Sequence, residues 1–286
     1  MTPLRQKLID EMDLRAMAES TKRNYVHWVY ELTKYYMRSP DQIADQEIKA
    51  FLVSLLRVRK LAVSTLIVAV SALRFFFGIV LQRPTEAVEQ ALPRMKKPKR
   101  LPRVYSGLEL ERLFELPGLE RKHRAIFLTA YAAGLRVSEV CHLRVADLLS
   151  DRCQLRVVQG KGRKDRYTVF SPSLQEELRA YWRIYRPVDW LFPSPRYLYR
   201  PLTTSAVEQA FRNAVQSARL PDHGGIHSLR HSFATHMLEG GVDVLTLQKF
   251  LGHSSLSSTA IYVYVRQERL TAMSLDLLNL AKRQKA

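Results

Sequence analysis

The stretch Ile226–Val265, IHSLRHSFATHMLEGGVDVLTLQKFLGHSSLSSTAIYVYV, decides how the C-terminal half of this chain folds. Apolar residues recur roughly every three to four positions on both sides of a Gly-Gly pair, and this period predicts two helices. Gly252 predicts the end of the second helix and leaves His253 in a tight turn. The serines that follow are good N-caps for a third helix, which carries Tyr262 and Tyr264.

Polar side chains in this stretch are suited to attack on a phosphodiester. His227 and Arg230 lie three residues apart, so on a helix they share one face and can bind one anion together. A tyrosine hydroxyl with a pKa near 10 is about a thousandth ionised at neutral pH, so reaching the phenolate costs roughly 4 kcal/mol. Fixed arginines close to the hydroxyl lower this cost because they stabilise developing negative charge.

A second arginine lies upstream, in the segment AAGLRVSEVCHLRVADL, Ala132–Leu148. Arg136 closely follows Gly134 at the predicted N-terminus of a helix, where free N–H groups and the helix dipole favour an anion. Glu139 is within reach of Arg136, so an ion pair between the two is the alternative role. The segment therefore offers either a second anion ligand or a structural ion pair.

Between these motifs lies QLRVVQGKGRKDRYTVF, Gln154–Phe170. Alternating apolar residues predict strands at Leu155–Val158 and Tyr167–Phe170, and the glycines between them predict a hairpin turn that contains Lys161 and Lys164. Further helices are predicted at Ser106–Leu116, Arg121–Ala133, Ser173–Tyr185 and Ser205–Ala218. This half of the chain is therefore predicted to be mainly α with a small antiparallel β-sheet.

The three motifs stand in the order found in the tyrosine recombinases, the phage-integrase and Xer-type family, which the chain closely resembles over roughly residues 105–280. The resemblance implies a site-specific recombinase that cuts and rejoins DNA through a 3′-phosphotyrosine and uses no metal, ATP or other cofactor. It also implies a catalytic set: Arg136, Lys161, His227, Arg230, His253 and Tyr262.

The resemblance implies a role for each member of this set. The two arginines stabilise the pentacoordinate phosphorane, and Lys161 protonates the leaving 5′ oxygen, with the second lysine of the turn as its rival. His227 acts as acid and base near the nucleophile, while His253 donates a hydrogen bond to a non-bridging oxygen. Tyr262 lies nine residues after His253, at the family spacing of the nucleophile. Tyr264, where Xer-type relatives often carry histidine, is its rival.

Assembly is a further implication of the resemblance. Recombinases of this family act as tetramers on two DNA duplexes, and the C-terminal tail of one subunit docks into the next. The chain beyond the nucleophile is rich in leucine, with Leu270, Leu275, Leu277, Leu278 and Leu280. Packing of this tail within its own chain is the alternative. The expected partners are double-stranded DNA and further copies of this chain in a homo-tetramer.

Composition also indicates a polyanionic partner. The formal net charge is +18 and the pI is about 10.1, and such a charge causes self-repulsion that nucleic acid relieves. A membrane surface is the weaker alternative. Cys141 and Cys153 have the spacing of neither a zinc knuckle nor a disulfide framework, and the first residues contain no apolar signal region. A cytoplasmic location is therefore expected.

Residues 1–91 are predicted to form a compact helical domain, with helices at Pro3–Met17, Ser20–Met37, Asp45–Arg59 and Leu61–Leu81. The family resemblance implies that this domain binds the core DNA site. The last of these helices is apolar enough to resemble a membrane span. Arg74 near its centre would cost about 2.5 to 3.5 kcal/mol in a bilayer, so no membrane is expected. Lys60 and Arg74 fall on one polar stripe, which faces either a DNA backbone or solvent.

Residues 92–104, LPRMKKPKRLPRV, are the predicted linker to a catalytic domain at residues 105–286. Prolines keep this segment extended, and its basic side chains either run along phosphates or are simply solvated. The candidate phosphate contacts are Lys96, Lys97, Lys99 and Arg100. With these contacts the two domains would form a clamp around duplex DNA.

Other functions are compatible with parts of this pattern. His227, His231 and His236 have the spacing of a helical zinc site, as in a metallohydrolase, although no carboxylate cluster lies beside them. A DNA-binding factor without chemistry would share the charge and the two domains. A type IB topoisomerase would share the covalent chemistry, and the close match to Xer-type motifs favours recombination over it.

Overall fold

The computed structural model of this protein describes residues 2–92, 95, 101–158 and 165–270, with side chains described as far as Val263. The chain divides into two compact units, Met1–Lys99 and Arg100–Ala286. This division falls inside the basic segment 92–104. Each unit has a hydrophobic core of its own.

The first unit is helical in its described residues. Its helices are α1 (Pro3–Leu14), α2 (Glu19–Tyr36), α3 (Asp45–Arg57), α4 (Val63–Arg74) and α5 (Thr85–Ala91), and α4 continues into a wider helical turn at Phe75–Val80. These helices meet in a core that includes Leu8, Met12, Trp28, Leu32, Phe51, Leu55, Leu66, Leu73 and Phe76. The predicted helices are thus present, but α1 ends before Met17 because Ala16 adopts a left-handed backbone, with φ 48°.

The prediction that Lys60 lies on a polar stripe of the fourth helix is wrong. This helix begins at Val63, after extended Ala62, and Lys60 lies in the preceding connection with a left-handed φ of 49° and an exposed side chain. Arg74 does lie on α4, where its Nε donates at 2.8 Å to the carbonyl oxygen of Leu92 and its Nη2 donates to the same atom. Arg74 therefore stabilises the end of α5 within its own unit.

One helical stretch among the described residues, Val63–Val80, is long and apolar enough to cross a membrane by length and composition alone. Several of its side chains are buried in the core of the first unit, among them Leu66, Val70, Leu73 and Phe77. Core packing therefore explains its apolar character, as expected for the central helix of a small helical domain.

The second unit is also mainly helical. Its described helices are α6 (Gly107–Phe114), α7 (Arg121–Ala132), α8 (Val137–Cys141), α9 (Pro172–Tyr185), α10 (Thr204–Ser217), α11 (His227–Glu239), α12 (Val244–Leu251) and α13 (Ser257–Leu270). Local capping explains several starts. The Ser106 hydroxyl accepts from the Glu109 N–H, and the Glu109 carboxylate accepts from the Ser106 N–H. Asp243 caps α12 by accepting two backbone N–H groups.

A small antiparallel sheet lies between α8 and α9. Its strands are β1 (Leu148–Leu149), β2 (Gln154–Val157) and β3 (Arg166–Val169), in the order β1-β2-β3. Leu155 faces Thr168 across the hairpin, and both side chains are buried. Each predicted strand begins one residue earlier than expected, and β1 is additional. The predicted class, mainly α with a small antiparallel β-sheet, is confirmed.

Helix α11 lies at the centre of the second unit, packed against α7, α12 and α13. Most of its side chains are buried, including small polar residues. Ser232 is satisfied locally, since its Oγ donates to the Ser228 carbonyl and accepts from the Tyr105 N–H, whereas the buried Thr235 Oγ1 has no hydrogen-bond partner among the described residues. A helix surrounded on several sides brings its own side chains close to those of three other elements, and the site is built there.

Candidate active site

The turn at Gly134 connects the upstream arginine motif to α11. Gly134 has a left-handed φ of 61°, and a Cβ at this position would lie 2.4 Å from the Phe233 ring. Only glycine allows both this backbone conformation and this close approach. As a result the Gly134 carbonyl oxygen reaches Arg230, whose Nη1 donates to it at 2.6 Å.

Arg230 is fixed mainly by neutral acceptors. Besides Gly134, its Nη2 donates to the Leu251 carbonyl oxygen at 2.6 Å and to His253 Nε2 at 3.2 Å. Two of the five guanidinium N–H donors are thus left without a hydrogen-bond partner among the described residues. The side chain is only 4% exposed. Burial, followed by the neighbouring charge of Arg136, lowers the pKa of Arg230 to about 9.

Glu139 is the carboxylate at the centre of the arginine cluster, and its side chain is 6% exposed. Its oxygens accept from Arg166 Nη1 and Nη2, both at 2.8 Å, and from Arg136 Nη1 at 2.7 Å. They also accept from the backbone N–H of Arg136. Burial raises the pKa of Glu139, but the hydrogen bonds and charge of Arg166, with those of Arg136, outweigh burial and lower the pKa to about 2.

The charges in this cluster do not balance. Arg136, Arg166 and Arg230 lie around Glu139, the Arg230 Nη1 atom being 3.7 Å from a carboxylate oxygen. Three cations therefore share one anion in a largely buried place, where unbalanced charge is costly. Such a cluster favours an anionic ligand because the ligand would compensate the excess positive charge.

His253 lies in the turn between α12 and α13, as expected. Gly252 has a left-handed φ of 61°, and a Cβ there would lie 2.6 Å from the Arg166 side chain, which crosses over it. An arginine can only donate, so His253 Nε2 accepts from Arg230. His253 Nδ1 therefore carries the proton and donates to Thr259 Oγ1 at 2.9 Å. Burial, then Arg230, lowers the pKa of His253 to about 4, which keeps the ring neutral.

Tyr262 projects from α13 into this cluster and is 3% exposed. Its ring is nearly parallel to that of His253, with centroids 6.4 Å apart. Its hydroxyl lies 2.9 Å from His231 Nδ1. Burial raises the pKa of Tyr262, although the charges of Arg230 and Arg136 act in the opposite direction. Free Tyr262 therefore keeps its proton at neutral pH.

His227, at the start of α11, is exposed and makes no hydrogen bond to another described residue. The protein around its ring lowers its pKa, as do the charges of Arg230 and Arg136. The residue against the tyrosine hydroxyl is therefore His231 and not His227. The metal alternative is disfavoured by geometry, since His231 contacts Tyr262 while His236 Nδ1 contacts the Tyr131 hydroxyl at 2.9 Å.

The predicted site residues fall into three groups, one of which, Lys60 and Arg74, lies in the first unit as described above. The structure brings together Arg136, His227, Arg230, His253 and Tyr262. The other predicted residues of the site and linker lie outside the described residues: Lys161, Lys96, Lys97, Lys99 and Arg100. Tyr264 belongs to α13, but its side chain lies outside the described part.

Two residues of the cluster are missed from the sequence. Arg166 begins β3 and looks like one more basic residue of a basic hairpin, yet it binds Glu139 and also donates through Nε to the Phe250 carbonyl oxygen at 2.8 Å. His231 attracts notice only as a metal ligand. Its position next to Arg230 is the one signal that could have placed it near the site, because adjacent helical residues diverge by about 100° and can contact different partners.

Comparison with known proteins identifies the class. A model described as the Phage integrase family matches residues 108–269, and one described as Phage integrase, N-terminal SAM-like domain matches residues 4–87. The protein is therefore an enzyme of the tyrosine-type site-specific recombinase class, in agreement with its fold and site. More narrowly, the chain belongs to the phage integrase family.

Individual relatives match nearly the whole chain. The candidate integrase/recombinase y4qK of Sinorhizobium fredii (strain NBRC 101917 / NGR234) is 42% identical over 274 residues, which cover 96% of this chain and 88% of that protein. The tyrosine recombinase XerC of Bacillus subtilis (strain 168) is 33% identical over 268 residues, 86% of each chain. A solved structure of the Tn1549 transposon integrase, in complex with circular intermediate DNA, has a TM-score of 0.72 at 18% identity and covers 93% of this chain and 99% of that one.

Proposed function

We propose that this protein cuts and rejoins duplex DNA at specific sites through a covalent 3′-phosphotyrosine intermediate on Tyr262. One observation carries the proposal: the Tyr262 hydroxyl is buried beside a cluster in which three arginines share the single carboxylate of Glu139. A phosphodiester that enters this cluster would supply the missing negative charge and place its phosphorus near the nucleophile.

The chemistry follows from these charges. Arg136 and Arg230 stabilise the extra negative charge of the phosphorane, a contribution of about 10³ to 10⁵ in rate for an arginine in other phosphoryl transfers. Lys161 is the proposed acid that protonates the leaving 5′ oxygen. The phosphotyrosine conserves the energy of the broken bond, so rejoining requires neither ATP nor a metal.

The two histidines of the predicted set take different parts. His253 orients Arg230 by accepting its hydrogen bond, and it can donate to a phosphate oxygen only when its Nε2 is protonated. His227 is exposed next to Arg230 on α11, so it is proposed to donate to an oxygen of the same phosphate.

Duplex DNA is the proposed substrate. The net charge of +18 favours a polyanion, and the Tn1549 integrase, which has the same fold, was solved with DNA. The basic segment 92–104 is proposed to run along phosphates so that the two units clamp the duplex. Lys60 and Arg74 remain proposed contacts, and Arg74 would use donors other than the two that bind the Leu92 carbonyl oxygen.

Assembly and location are part of the same proposal. The leucine-rich tail beyond Arg266 is proposed to dock into a neighbouring subunit, giving a tetramer on two duplexes. Truncation after Arg266 should then abolish cooperative assembly on DNA while leaving single-site binding largely intact. A cytoplasmic location fits Cys141 and Cys153, which are both free.

Recombination is favoured over the two alternatives for separate reasons. A type IB topoisomerase would use the same nucleophile, but the relatives that match this chain are named integrases and tyrosine recombinases. A DNA-binding factor without chemistry would have no need of a buried tyrosine against an unbalanced arginine cluster.

Replacing one tyrosine at a time tests the proposal. A duplex that carries a nick near the cleavage site traps the adduct, because the short released strand diffuses away. Tyr262→Phe should bind this DNA normally and form no SDS-resistant adduct. Tyr264→Phe, the control, should form the adduct within about tenfold of the wild-type rate, which corresponds to about 1.4 kcal/mol. Recovery of a DNA-linked peptide modified on Tyr264 would refute the assignment, and loss of wild-type cleavage in EDTA would restore the metal alternative.

A further inference from the structure

The contact between His231 and Tyr262 stands out from the rest of the cluster. His231 Nδ1 lies 2.9 Å from Tyr262 Oη, and the two rings are tilted by 46° with centroids 5.7 Å apart. Within the described part of the chain, this is the one hydrogen bond of the Tyr262 hydroxyl. Any proton that leaves Tyr262 in this arrangement therefore has His231 as its nearest acceptor.

The groups near His231 come from α11, from α13 and from the turn before α13. They are His227 and Arg230 on α11 itself, Tyr262 on α13 and His253 in the turn before α13. Of the other helices packed against α11, α7 carries Tyr131, which contacts His236, and α12 carries the exposed Lys249. No carboxylate in the described residues hydrogen-bonds to the His231 ring. Its neighbours are thus either neutral or positively charged, an environment in which a second positive charge is unfavourable.

This environment determines the protonation states of the two side chains. Burial, followed by the charges of His227 and Arg230, lowers the pKa of His231 to about 4, so the ring is neutral at pH 7. The pKa of Tyr262 is raised, so the phenol keeps its proton. In the tautomer with the ring proton on Nε2, Tyr262 Oη is the donor and His231 Nδ1 the acceptor, and this is the tautomer that a transfer of the proton requires.

We propose that His231 is a catalytic residue that accepts the proton of Tyr262 during attack on the DNA phosphate. This inference rests on the proposed role of Tyr262 as nucleophile. The Oη–H bond breaks, its proton moves to His231 Nδ1, and an oxygen lone pair forms the new O–P bond. The bond between phosphorus and the 5′ oxygen breaks, and that oxygen takes a proton from the general acid. In the rejoining step His231 returns its proton to Tyr262 Oη as the phosphotyrosine bond breaks.

Binding of DNA makes this transfer more favourable. A phosphodiester in the arginine cluster adds a negative charge close to His231, which raises the affinity of the ring for a proton. The same phosphate compensates Arg230, whose positive charge opposes protonation of His231. Proton transfer is thereby coupled to the presence of the substrate, and free Tyr262 stays protonated and unreactive.

The test measures adduct formation by the full-length protein on a nicked duplex in which the leaving 5′ oxygen is replaced by sulfur. This leaving group needs no protonation, so the rate reports the tyrosine proton rather than the general acid. His231→Ala should react about 10²- to 10⁴-fold more slowly at pH 7. The wild-type rate should be nearly flat from about pH 6 to about pH 8, whereas the variant rate should rise with pH because hydroxide or phenolate must replace the base.

Two further variants separate catalysis from positioning. His231→Asn keeps a group that can hydrogen-bond to Tyr262 Oη but cannot take its proton, so it should lose as much rate as His231→Ala. Added imidazole should partly restore His231→Ala, by an amount that follows the fraction of neutral imidazole. His236→Asn, the matched control on the same helix, should retain the wild-type rate because His236 contacts Tyr131 instead.

Each outcome decides for or against the inference. A wild-type rate for His231→Asn, or a flat pH profile with no loss for His231→Ala, would mean that the histidine only holds the tyrosine in place. A faster His231→Ala would mean that the contact restrains the nucleophile, which also overturns the proposal. If His231→Ala fails to bind DNA, the His231→Asn result decides. The proposed function is tested separately, by the adduct assay with Tyr262→Phe. An adduct formed by that variant would refute the proposed function itself.

Discussion

Removing the charge of Glu139 should destabilise the second unit more than any single surface ion pair would. Glu139→Gln keeps the size of the side chain but leaves Arg136, Arg166 and Arg230 without a counter-charge. A pKa lowered from 4.5 to about 2 corresponds to about 3 kcal/mol of stability at neutral pH. Breaking a buried ion pair typically costs about 3 to 5 kcal/mol, which agrees with the value obtained from the pKa shift.

The dependence on pH has a definite sign. The folded-state pKa of Glu139 lies below the unfolded value, so its contribution is fully present above about pH 4.5 and is lost as the pH falls towards 2. The difference in unfolding free energy between the wild type and Glu139→Gln should therefore be about 3 kcal/mol at pH 7 and about 1 kcal/mol at pH 3.

Urea unfolding followed by tryptophan fluorescence can measure this difference in the second unit alone. The chain has three tryptophans, of which Trp28 lies in the first unit and Trp182 and Trp190 in the second. A Trp28→Phe background therefore reports only on the second unit. Glu177→Gln is the matched control, because the Arg124–Glu177 pair is about one-third exposed and should contribute no more than about 1 kcal/mol. A loss for Glu139→Gln no larger than that of this control, or a difference that does not shrink in acid, would refute the charge argument.

Four other results are expected. Sulfate should raise the Tm of the second unit more than chloride at equal ionic strength, because three arginines share one carboxylate; equal effects of the two salts would contradict this. Gly134→Ala should cost at least about 2 kcal/mol more in urea unfolding than Gly118→Ala, since both have positive φ but only the first meets another side chain; similar losses would argue against the close contact. Lys161→Ala should slow cleavage strongly on a normal strand and much less on the sulfur-substituted strand, whereas equal losses would move the acid elsewhere. Neutralising four linker residues should make the plot of log binding constant against log salt concentration less steep by several units in a filter-binding assay. An unchanged slope would exclude phosphate contacts by the basic segment 92–104; the four residues are Lys96, Lys97, Lys99 and Arg100.

Much of the fold could be predicted from the chain itself. The apolar periods predict the helices that flank the Gly-Gly pair, and alternation predicts the hairpin to within one residue at each strand. These features depend on local backbone preferences and on one buried face per element, which a sequence displays directly. Lys60 is the instructive error. The spacing of Lys60 fits the polar stripe of a helix, but the helix starts only at Val63, after the left-handed backbone at Lys60. Periodicity in the sequence does not reveal where such a boundary lies.

The chemical character of the site is also visible in the sequence. His227, Arg230, His253 and Tyr262 occur within one stretch, so their residue types and spacing suffice to suggest attack on a phosphodiester. The upstream Arg136 joins them through a glycine turn whose purpose becomes clear only when Phe233 is seen against it.

The partners of individual atoms were decided by tertiary structure. His231 and Tyr262 are 31 residues apart, and Arg166 and Glu139 are 27 apart, so neither contact follows from the period of a helix or strand. Both arise because α11 is enclosed by α7, α12 and α13, and because β3 begins beside the turn at Gly252. Sequence patterns specify which face of an element is buried. The choice of the histidine that meets the tyrosine hydroxyl, and of the arginines that share a carboxylate, depends on how those buried faces pack against each other in three dimensions.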